Sequence, residues 1–196
     1  IGDRALGSDA AQVVLLGLAA CHGLTSGGVL PIIKHIPGHG RALSDSHKFL
    51  PVVSASLKEL QQTDFKIFKN LSHQPIAMTA HIIYSSIDDV YPATVSKKII
   101  RGIVREYMNF SGLLISDDIS DNMAALNGGV AERAKAALSA GCDVVLHCNG
   151  NIRDLPDLIS GVREMSDISL DRWLRAIEKL NPVTSIDSEL LANELN

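Results

Sequence analysis

Residues 112–118 read GLLISDD, and this segment decides the fold that the sequence predicts. It is apolar without a break until its serine, whereas a strand with one solvated face would alternate apolar and polar side chains. A continuous run of this kind is typical of a parallel strand that is buried on both faces. Asp117 and Asp118 follow directly, so the predicted strand, residues 112–116, ends in two carboxylates.

Three further apolar runs of strand length follow along the chain, at residues 29–33, 75–79 and 142–148. Segments with apolar residues at helical spacing lie between the runs and at both ends of the series. These predicted helices cover residues 10–23, 56–71, 96–108, 129–140, 155–162 and 169–180. The alternation of helices with buried strands predicts an α/β fold with a parallel sheet.

Two architectures fit this order of elements. An open doubly wound sheet and a closed eight-stranded barrel both join parallel strands by helices, and the handedness of the crossovers does not separate them. A complete barrel typically needs on the order of 250 residues, whereas the chain has 196. In the barrel case the chain therefore supplies about four of the eight strands.

The composition narrows the classes of partner. Hydrophobic residues make up 46% of the chain and charged residues 20%, as in ordinary globular proteins. The formal net charge of -4 offers no basic face to nucleic acid or to anionic lipids. The longest apolar runs, such as residues 13–20, are too short to span a bilayer. We therefore expect no nucleic-acid partner and no membrane partner, which leaves small neutral substrates open.

The cysteines and the first residue add two expectations. Cys21, Cys142 and Cys148 form an odd set without the spacing of metal ligands. Such a set argues against a disulfide framework and favours a reducing, cytoplasmic compartment. The chain begins at Ile1 rather than at a methionine, which is typical of a processed or truncated product.

Charged or imidazole groups stand at the carboxyl end of every predicted strand: Lys34 and His35, then His81, then Asp117 and Asp118, then His147. That edge is where α/β barrels and open sheets build their sites, so the pattern favours a functional rim over coincidence. Successive side chains of a strand point to opposite faces, so only one aspartate is expected to face the rim. We predict Asp117 for the site and Asp118 as the cap of a short helix near Asn122.

A long loop follows the first predicted strand. It runs from KHIPGHG, residues 34–40, into SDSH, residues 44–47, and a loop of this length is unusual unless it carries function. Asp45 and His47 lie two residues apart, so an extended backbone puts both side chains on one side. A carboxylate beside imidazole suits a histidine that gives and takes a proton. A solvated, locally capped histidine is the alternative.

Seven segments carry a resemblance to a known family: IGDRALGSD, KHIPGHG, DSHKFLP, MTAHIIY, PATVSKKII, GLLISDDIS and AGCDVVLHCN. On these motifs the chain resembles the family 3 glycoside hydrolases. It is most similar to the bacterial β-N-acetylglucosaminidases, or β-hexosaminidases, of peptidoglycan recycling. The combination of KHIPGHG, DSH and SDD is very specific, and one departure is Ile36, which stands where phenylalanine is common.

The resemblance implies a fold and an activity. The fold is a (β/α)8 TIM-type barrel, of which residues 1–196 form a single partial domain that supplies about the last four βα units. The activity is that of a retaining exo-β-N-acetylglucosaminidase. Such an enzyme releases terminal N-acetylglucosamine from muropeptide fragments through a covalent glycosyl-aspartate. The resemblance implies no cofactor and no metal.

The resemblance also implies roles for individual residues. Asp117 is the nucleophile, and His47 transfers the proton with Asp45 as its partner. Retention of configuration follows from the covalent role of the nucleophile. The sugar hydroxyls are held at three positions, which correspond to Arg4, Lys34 and His35.

Two other hypotheses stay open. Without the N-terminal half of the family's barrel, the chain is either an inactive fragment that at most binds sugar or one part of a split barrel whose partner is the missing half. A metal-dependent hydrolase is weaker, because no HxH or HExxH spacing supports it. Its ligands would be His35, His39, His81 and His147. In a glycosidase, His81 would instead line the pocket and His39 would shape the loop.

Overall fold

The computed structural model describes residues 5–43, 49–120 and 126–182. In this part of the chain the strands are β1 (Ile32–Ile36), β2 (Val52–Val53), β3 (Ile76–Thr79), β4 (Ile83–Tyr84), β5 (Leu113–Asp118) and β6 (Val144–Leu146). A four-stranded parallel sheet has the order β1, β3, β5, β6, and a separate parallel pair joins β2 to β4. The predicted parallel sheet is confirmed.

Helices alternate with the main strands, as predicted. The α-helices are α1 (Ala10–Ser26), α2 (Leu57–Gln62), α3 (Asp64–Asn70), α4 (Val130–Ala140), α5 (Leu155–Gly161) and α6 (Asp167–Ile177). A π-helix spans Lys98–Tyr107, and short 3-10 helices span Ala93–Val95 and Ile152–Asp154. Among the described residues, no helix combines the length and the apolar character that crossing a bilayer requires.

The first strand, β1, begins later than the predicted strand at 29–33. The cause is the end of α1, where Gly28 has a φ of 79° and the Val29 N–H donates to the Leu24 carbonyl at 2.9 Å. A glycine with positive φ, followed by a hydrogen bond to a carbonyl of the last turn, ends a helix. Val29 therefore belongs to the helix cap and does not start a strand. Lys34 and His35 consequently belong to β1 itself rather than following it.

The predicted single helix at 56–71 is wrong, because the chain breaks it into α2 and α3 at Thr63. This residue has a φ of -122° and a ψ of -90°, and its hydroxyl donates to the Glu59 carbonyl at 2.8 Å. A hydroxyl that takes a backbone carbonyl competes with the hydrogen bonds of the helix. Arg41 docks on the break, where its Nη2 donates to the Thr63 hydroxyl oxygen at 3.0 Å.

The main hydrophobic core packs the sheet against the helices. Its buried members include Ile33, Ile36, Ala77 and Leu114 from the sheet and Phe65, Phe68, Ile99 and Val104 from the helices. The ring of Phe65 meets that of Tyr84 edge to face, with centroids 5.8 Å apart. This packing fixes the three strands β1, β3 and β5 relative to one another.

Both edges of the main sheet are open in the described part of the chain. There β1 pairs only with β3, and β6 pairs only with β5. All three residues of β6 are half-buried, and Ile32 of β1 is exposed. Apolar side chains are also exposed on the outer helices, among them Leu15, Leu16, Trp173 and Leu174. Unpaired strand edges and exposed apolar side chains are both unfavourable in water. These surfaces therefore fit a sheet that continues into further strands and helices.

One buried carboxylate joins four elements. Asp143 directly precedes β6, and only 2% of its side chain is exposed. Its Oδ2 accepts hydrogen bonds from Arg105 Nη2 and from the Leu114 N–H, both at 2.8 Å. Its Oδ1 accepts from Arg172 Nη1 and the Ser169 hydroxyl, also at 2.8 Å each. The π-helix, β5 and α6 are thereby tied to the start of β6.

We expect Asp143→Ala to lower the free energy of unfolding by about 3–5 kcal/mol, since two half-buried guanidinium groups would lose the buried carboxylate that binds them. Urea denaturation of the 196-residue chain measures this loss. Asp171→Ala is the matched control, because it also removes a carboxylate from an arginine, Arg175, but on an exposed helix face. Exposed pairs contribute little. Equal losses in the two variants would show that the Asp143 cluster adds no special stability.

Candidate active site

Asp117 stands at the carboxyl end of β5, where 14% of its side chain is exposed. Its Oδ1 accepts a hydrogen bond from the backbone N–H of Asp118 at 2.8 Å. Its own backbone N–H donates to the hydroxyl oxygen of Thr79, the last residue of β3, at 3.0 Å. Its Oδ2 lies 3.7 Å from His35 Nε2, which is beyond hydrogen-bond distance. One carboxylate oxygen is thus held in place, and the other faces the end of β1.

His35 is half-buried beside this carboxylate. Burial lowers its pKa to about 4, and the nearby charge of Asp117 offsets only part of that effect. The positive charge of Lys34 lowers the pKa further. The ring is therefore neutral at neutral pH, and its contact with Asp117 is not an ion pair. The ring of His39 lies close by, with centroids 5.5 Å apart.

Lys34 is exposed on β1, opposite Met78 of β3. Lys34 directly precedes His35 near the carboxyl end of β1, and its positive charge acts to lower the pKa of both His35 and Cys148. The structure therefore brings three predicted or candidate groups together at the carboxyl edge of the sheet. A carboxylate, a neutral imidazole and an ammonium group can together bind a neutral polyhydroxy ligand.

Asp118, the neighbour of the candidate nucleophile, is used for structure. Its Oδ1 accepts from the backbone N–H groups of Ser120 and Cys148, both at 3.0 Å, and its Oδ2 accepts from the Ser120 hydroxyl at 2.6 Å. Burial alone would raise its pKa, but these hydrogen bonds outweigh burial and lower it. The carboxylate caps its own turn and ties β5 to the segment after β6. The sequence predicts that Asp118 caps a short helix near Asn122, and residues 121–125 lie outside the described part of the chain.

His81 does not line a pocket, so that prediction is wrong. The side chain is completely buried, with 0% exposed. Its Nδ1 lies 2.8 Å from the Thr94 hydroxyl oxygen, and its Nε2 lies 2.7 Å from the backbone carbonyl oxygen of Asp118. Burial is the largest influence on its pKa and lowers it. The residue follows β3, and position after a strand predicts it at the rim, but its side chain points into the protein.

His147 is also engaged in local structure. Its Nε2 lies 3.0 Å from Asp154 Oδ2. The same aspartate accepts hydrogen bonds from the side-chain amides of Asn149 at 3.0 Å and Asn151 at 2.8 Å. This cluster organises the segment that follows β6, and it places the exposed Cys148 beside Asp118.

The histidines of the metal hypothesis do not converge. His35 and His39 are neighbours, whereas His81 and His147 are bound to separate partners. Within residues 5–43, 49–120 and 126–182, no group of three or more histidine, cysteine, aspartate or glutamate side chains is arranged to hold a metal ion.

Asp45, His47 and Arg4 lie outside the described residues, but both flanks of the segment 44–48 are anchored. On one flank, Arg41 Nε contacts Asp64 Oδ2 at 2.6 Å, and its Nη1 contacts Glu59 Oε1 at 2.9 Å. On the other flank, β2 pairs with β4, which also carries Tyr84. The hydroxyl of Tyr84 donates to the Gly38 carbonyl and so holds the first flank as well.

Sequence reasoning missed Thr79 and Thr94. The Thr79 hydroxyl oxygen accepts from the Asp117 N–H, and the Thr94 hydroxyl contacts that of Thr79. Thr79 does give a signal, since it is a polar residue at the end of an otherwise apolar buried strand. Thr94 gives none, because it lies fifteen positions further along, in a 3-10 helix that no pattern predicts. The sequence pattern also does not predict the contacts of Arg41, because they depend on the break in the helix at Thr63.

The chain matches the sequence pattern of a known domain, the N-terminal domain of glycosyl hydrolase family 3, over residues 1–179. A curated β-hexosaminidase of Methylobacillus flagellatus is 39% identical over 151 residues, which cover 76% of this chain and 43% of that protein. The chain thus spans less than half the length of this relative.

Solved structures agree with the sequence comparison. NagZ from Neisseria gonorrhoeae, crystallised with N-trifluoroacetyl-D-glucosamine, is 32% identical with a TM-score of 0.80, and the likeness covers 100% of this chain and 55% of that one. CbsA from Thermotoga neapolitana is 35% identical with a TM-score of 0.77, covering 97% of this chain and 46% of that one. The predicted resemblance and the predicted partial TIM-type barrel are confirmed. The chain belongs to glycosyl hydrolase family 3, and its four-stranded sheet is part of that family's N-terminal barrel domain.

Proposed function

We propose that this chain supplies the nucleophile and the proton-transferring residues of a retaining exo-β-N-acetylglucosaminidase. The observation that carries the proposal is the asymmetry of the Asp117 carboxylate. Its Oδ1 is held by the Asp118 N–H, while its Oδ2 faces the rim beside a neutral imidazole. A fixed carboxylate with one oxygen directed at a sugar site is what covalent glycoside hydrolysis requires.

The reaction has two displacements. In the first, Asp117 Oδ2 attacks the anomeric carbon, the glycosidic C–O bond breaks, and the leaving oxygen takes a proton from His47. In the second, water attacks the anomeric carbon, the bond to Oδ2 breaks, and the proton of the water passes to His47. Asp45 orients the His47 ring. These roles of Asp45 and His47 rest on the sequence resemblance, with support from the anchored flanks of their segment.

The low pKa of His35 protects the nucleophile. A protonated ring at 3.7 Å would attract Oδ2 and reduce its availability for attack. A neutral ring can still bind a sugar hydroxyl, and the exposed Lys34 can bind another. Arg4 completes the proposed set of hydroxyl ligands from the sequence resemblance. The N-acetylglucosamine would belong to muropeptide fragments, in the cytoplasm, where free thiols such as Cys21, Cys142 and Cys148 are the rule.

Activity also requires the other strands of the barrel. The open edges of β1 and β6 flank the site on both sides, and the chain covers 43% of its β-hexosaminidase relative. We propose that a polypeptide corresponding to the N-terminal half of the barrel is the partner. The alternative, a fragment that at most binds sugar, is supported by the same partial coverage.

We expect Asp117→Ala to lower hydrolysis of an aryl N-acetyl-β-glucosaminide by at least about 10⁴-fold, because removal of the nucleophile of a serine protease, which also acts through a covalent intermediate, lowers its rate by more than that. The assay uses the chain co-expressed with the part of the Methylobacillus flagellatus β-hexosaminidase that the chain does not match. Asp89→Ala, at an exposed aspartate, is the control.

Retained hydrolysis in Asp117→Ala would overturn the nucleophile assignment. Absence of hydrolysis in the unaltered pair, with sugar binding intact, would favour the binding fragment. Full hydrolysis by the chain alone would show that no partner half is required.

We expect the chain to lose stability as the pH falls from 6.5 towards 4, because the unfolded chain protonates His35 at its ordinary pKa while the folded chain keeps it neutral. A pKa of about 4 gives a loss of roughly 2 kcal/mol between pH 7.5 and pH 5 from this ring alone. His35→Gln removes that part of the slope in urea denaturation. His22→Gln, at an exposed position on α1, is the control. Identical slopes in all three proteins would contradict the neutral state of the half-buried His35 ring.

A further inference from the structure

A chain of buried polar groups lies beneath the candidate nucleophile. It consists of Thr79, Thr94 and His81, of which no side chain is more than 1% exposed. The Thr79 and Thr94 hydroxyl oxygens are 2.8 Å apart, and the Thr94 hydroxyl oxygen is 2.8 Å from His81 Nδ1. The chain begins at the Asp117 N–H, 3.0 Å from the Thr79 hydroxyl oxygen. It ends at the Asp118 carbonyl oxygen, 2.7 Å from His81 Nε2.

The chemistry of these groups fixes the direction of every hydrogen bond. The Asp118 carbonyl can only accept, so His81 Nε2 carries a hydrogen and donates it. Burial lowers the pKa of His81, so the ring is neutral and its Nδ1 accepts. The single hydroxyl hydrogen of Thr94 therefore points at Nδ1, although the Ala80 carbonyl lies 3.1 Å away as a second acceptor.

The remaining link follows from the first two. With its hydrogen given to His81, Thr94 must accept from the hydroxyl of Thr79, which in turn accepts from the Asp117 N–H. Each hydroxyl donates once and accepts once. The five groups therefore form a one-way relay, called here the hydroxyl–imidazole relay. It runs from the N–H before the nucleophile to the carbonyl after it.

The relay holds the backbone of Asp117 and Asp118 from both sides. Between its two contact points lies the Asp118 N–H, the donor that fixes Asp117 Oδ1. The orientation of that N–H depends on the peptide plane, and the relay fixes the residues on either side of it. A buried polar network whose members are all hydrogen-bonded makes its surroundings rigid, and this one restricts the backbone that carries the Asp118 N–H.

We propose that Thr79, Thr94 and His81 are positioning residues, which aim the Asp117 carboxylate through the hydroxyl–imidazole relay without touching the substrate. The inference rests on the proposed role of Asp117 as nucleophile. It makes Oδ2 the attacking oxygen because Oδ1 is fixed by a donor that the relay orients.

The first test uses the 196-residue chain itself and needs no activity. Thr79→Val keeps the shape of the side chain and removes its hydroxyl, so we expect amide hydrogen exchange at Asp117 and Asp118 to become at least about tenfold faster. Thr79→Ser keeps the hydroxyl and leaves exchange nearly unchanged. Thr25→Val is the matched control, because its hydroxyl binds a carbonyl within α1, remote from the site. Unchanged exchange in Thr79→Val would overturn the relay.

A second readout needs no variant at the site. Nitrogen-15 NMR of the imidazole in the unaltered chain at pH 7 is expected to show His81 neutral, with its hydrogen on Nε2. A hydrogen on Nδ1, or on both nitrogens, would reverse the link to Thr94 and overturn the relay, even if the valine variants do not fold.

The third readout is kinetic and uses the chain paired with the complementary half of the barrel. We expect Thr79→Val and Thr94→Val to lower kcat by about 10- to 100-fold, as for a slightly misplaced catalytic group, with KM changed less than about threefold. The serine variants restore most of kcat. An unchanged kcat overturns this inference, whereas hydrolysis by Asp117→Ala overturns the proposed function.

Discussion

Because parallel strands run in one direction, their carboxyl ends meet at one edge of the sheet, and the candidate site depends on that constraint. The outer strand β1 brings Lys34 and His35 to this edge, and β5 brings Asp117. The strand between them, β3, sends no side chain to the rim. Its last residue, Thr79, accepts a hydrogen bond from the Asp117 N–H. The middle strand therefore holds the backbone of a site residue on β5.

Two adjacent carboxylates in this protein have opposite uses because their hydrogen-bond partners differ. Both oxygens of Asp118 accept hydrogen bonds from Ser120 or Cys148. These bonds stabilise its charge and connect β5 to the segment after β6. In Asp117, Oδ1 accepts from the Asp118 N–H, whereas Oδ2 faces His35 at the rim. The two neighbours therefore differ in the hydrogen bonds that they accept. Both oxygens of Asp118 accept hydrogen bonds, whereas only Oδ1 of Asp117 does so within the described part of the chain.

The sequence predicts the features that depend on local patterns. The four strands and most helices follow from apolar runs and from helical spacing, while the separate roles of Asp117 and Asp118 stay a prediction. The pattern fails where distant groups compete with it. A cap on α1 delays β1, the Thr63 hydroxyl breaks a helix, and the short β2–β4 pair has no pattern to reveal it. Position after a strand predicts His81 at the rim, but the ring is buried between Thr94 and the Asp118 carbonyl.

The open edges described above have a thermodynamic consequence. One edge is β1, which carries Lys34 and His35, and the other is β6, which leads into the segment bound to Asp118. A polypeptide that completes the barrel at the β1 edge would pair with the strand that carries Lys34 and His35, the two hydroxyl ligands of the proposed function. The two binding equilibria are linked, and linkage is reciprocal. Under the proposed function, a sugar that binds the completed barrel more tightly than the chain alone would strengthen the association of the two halves by that same factor.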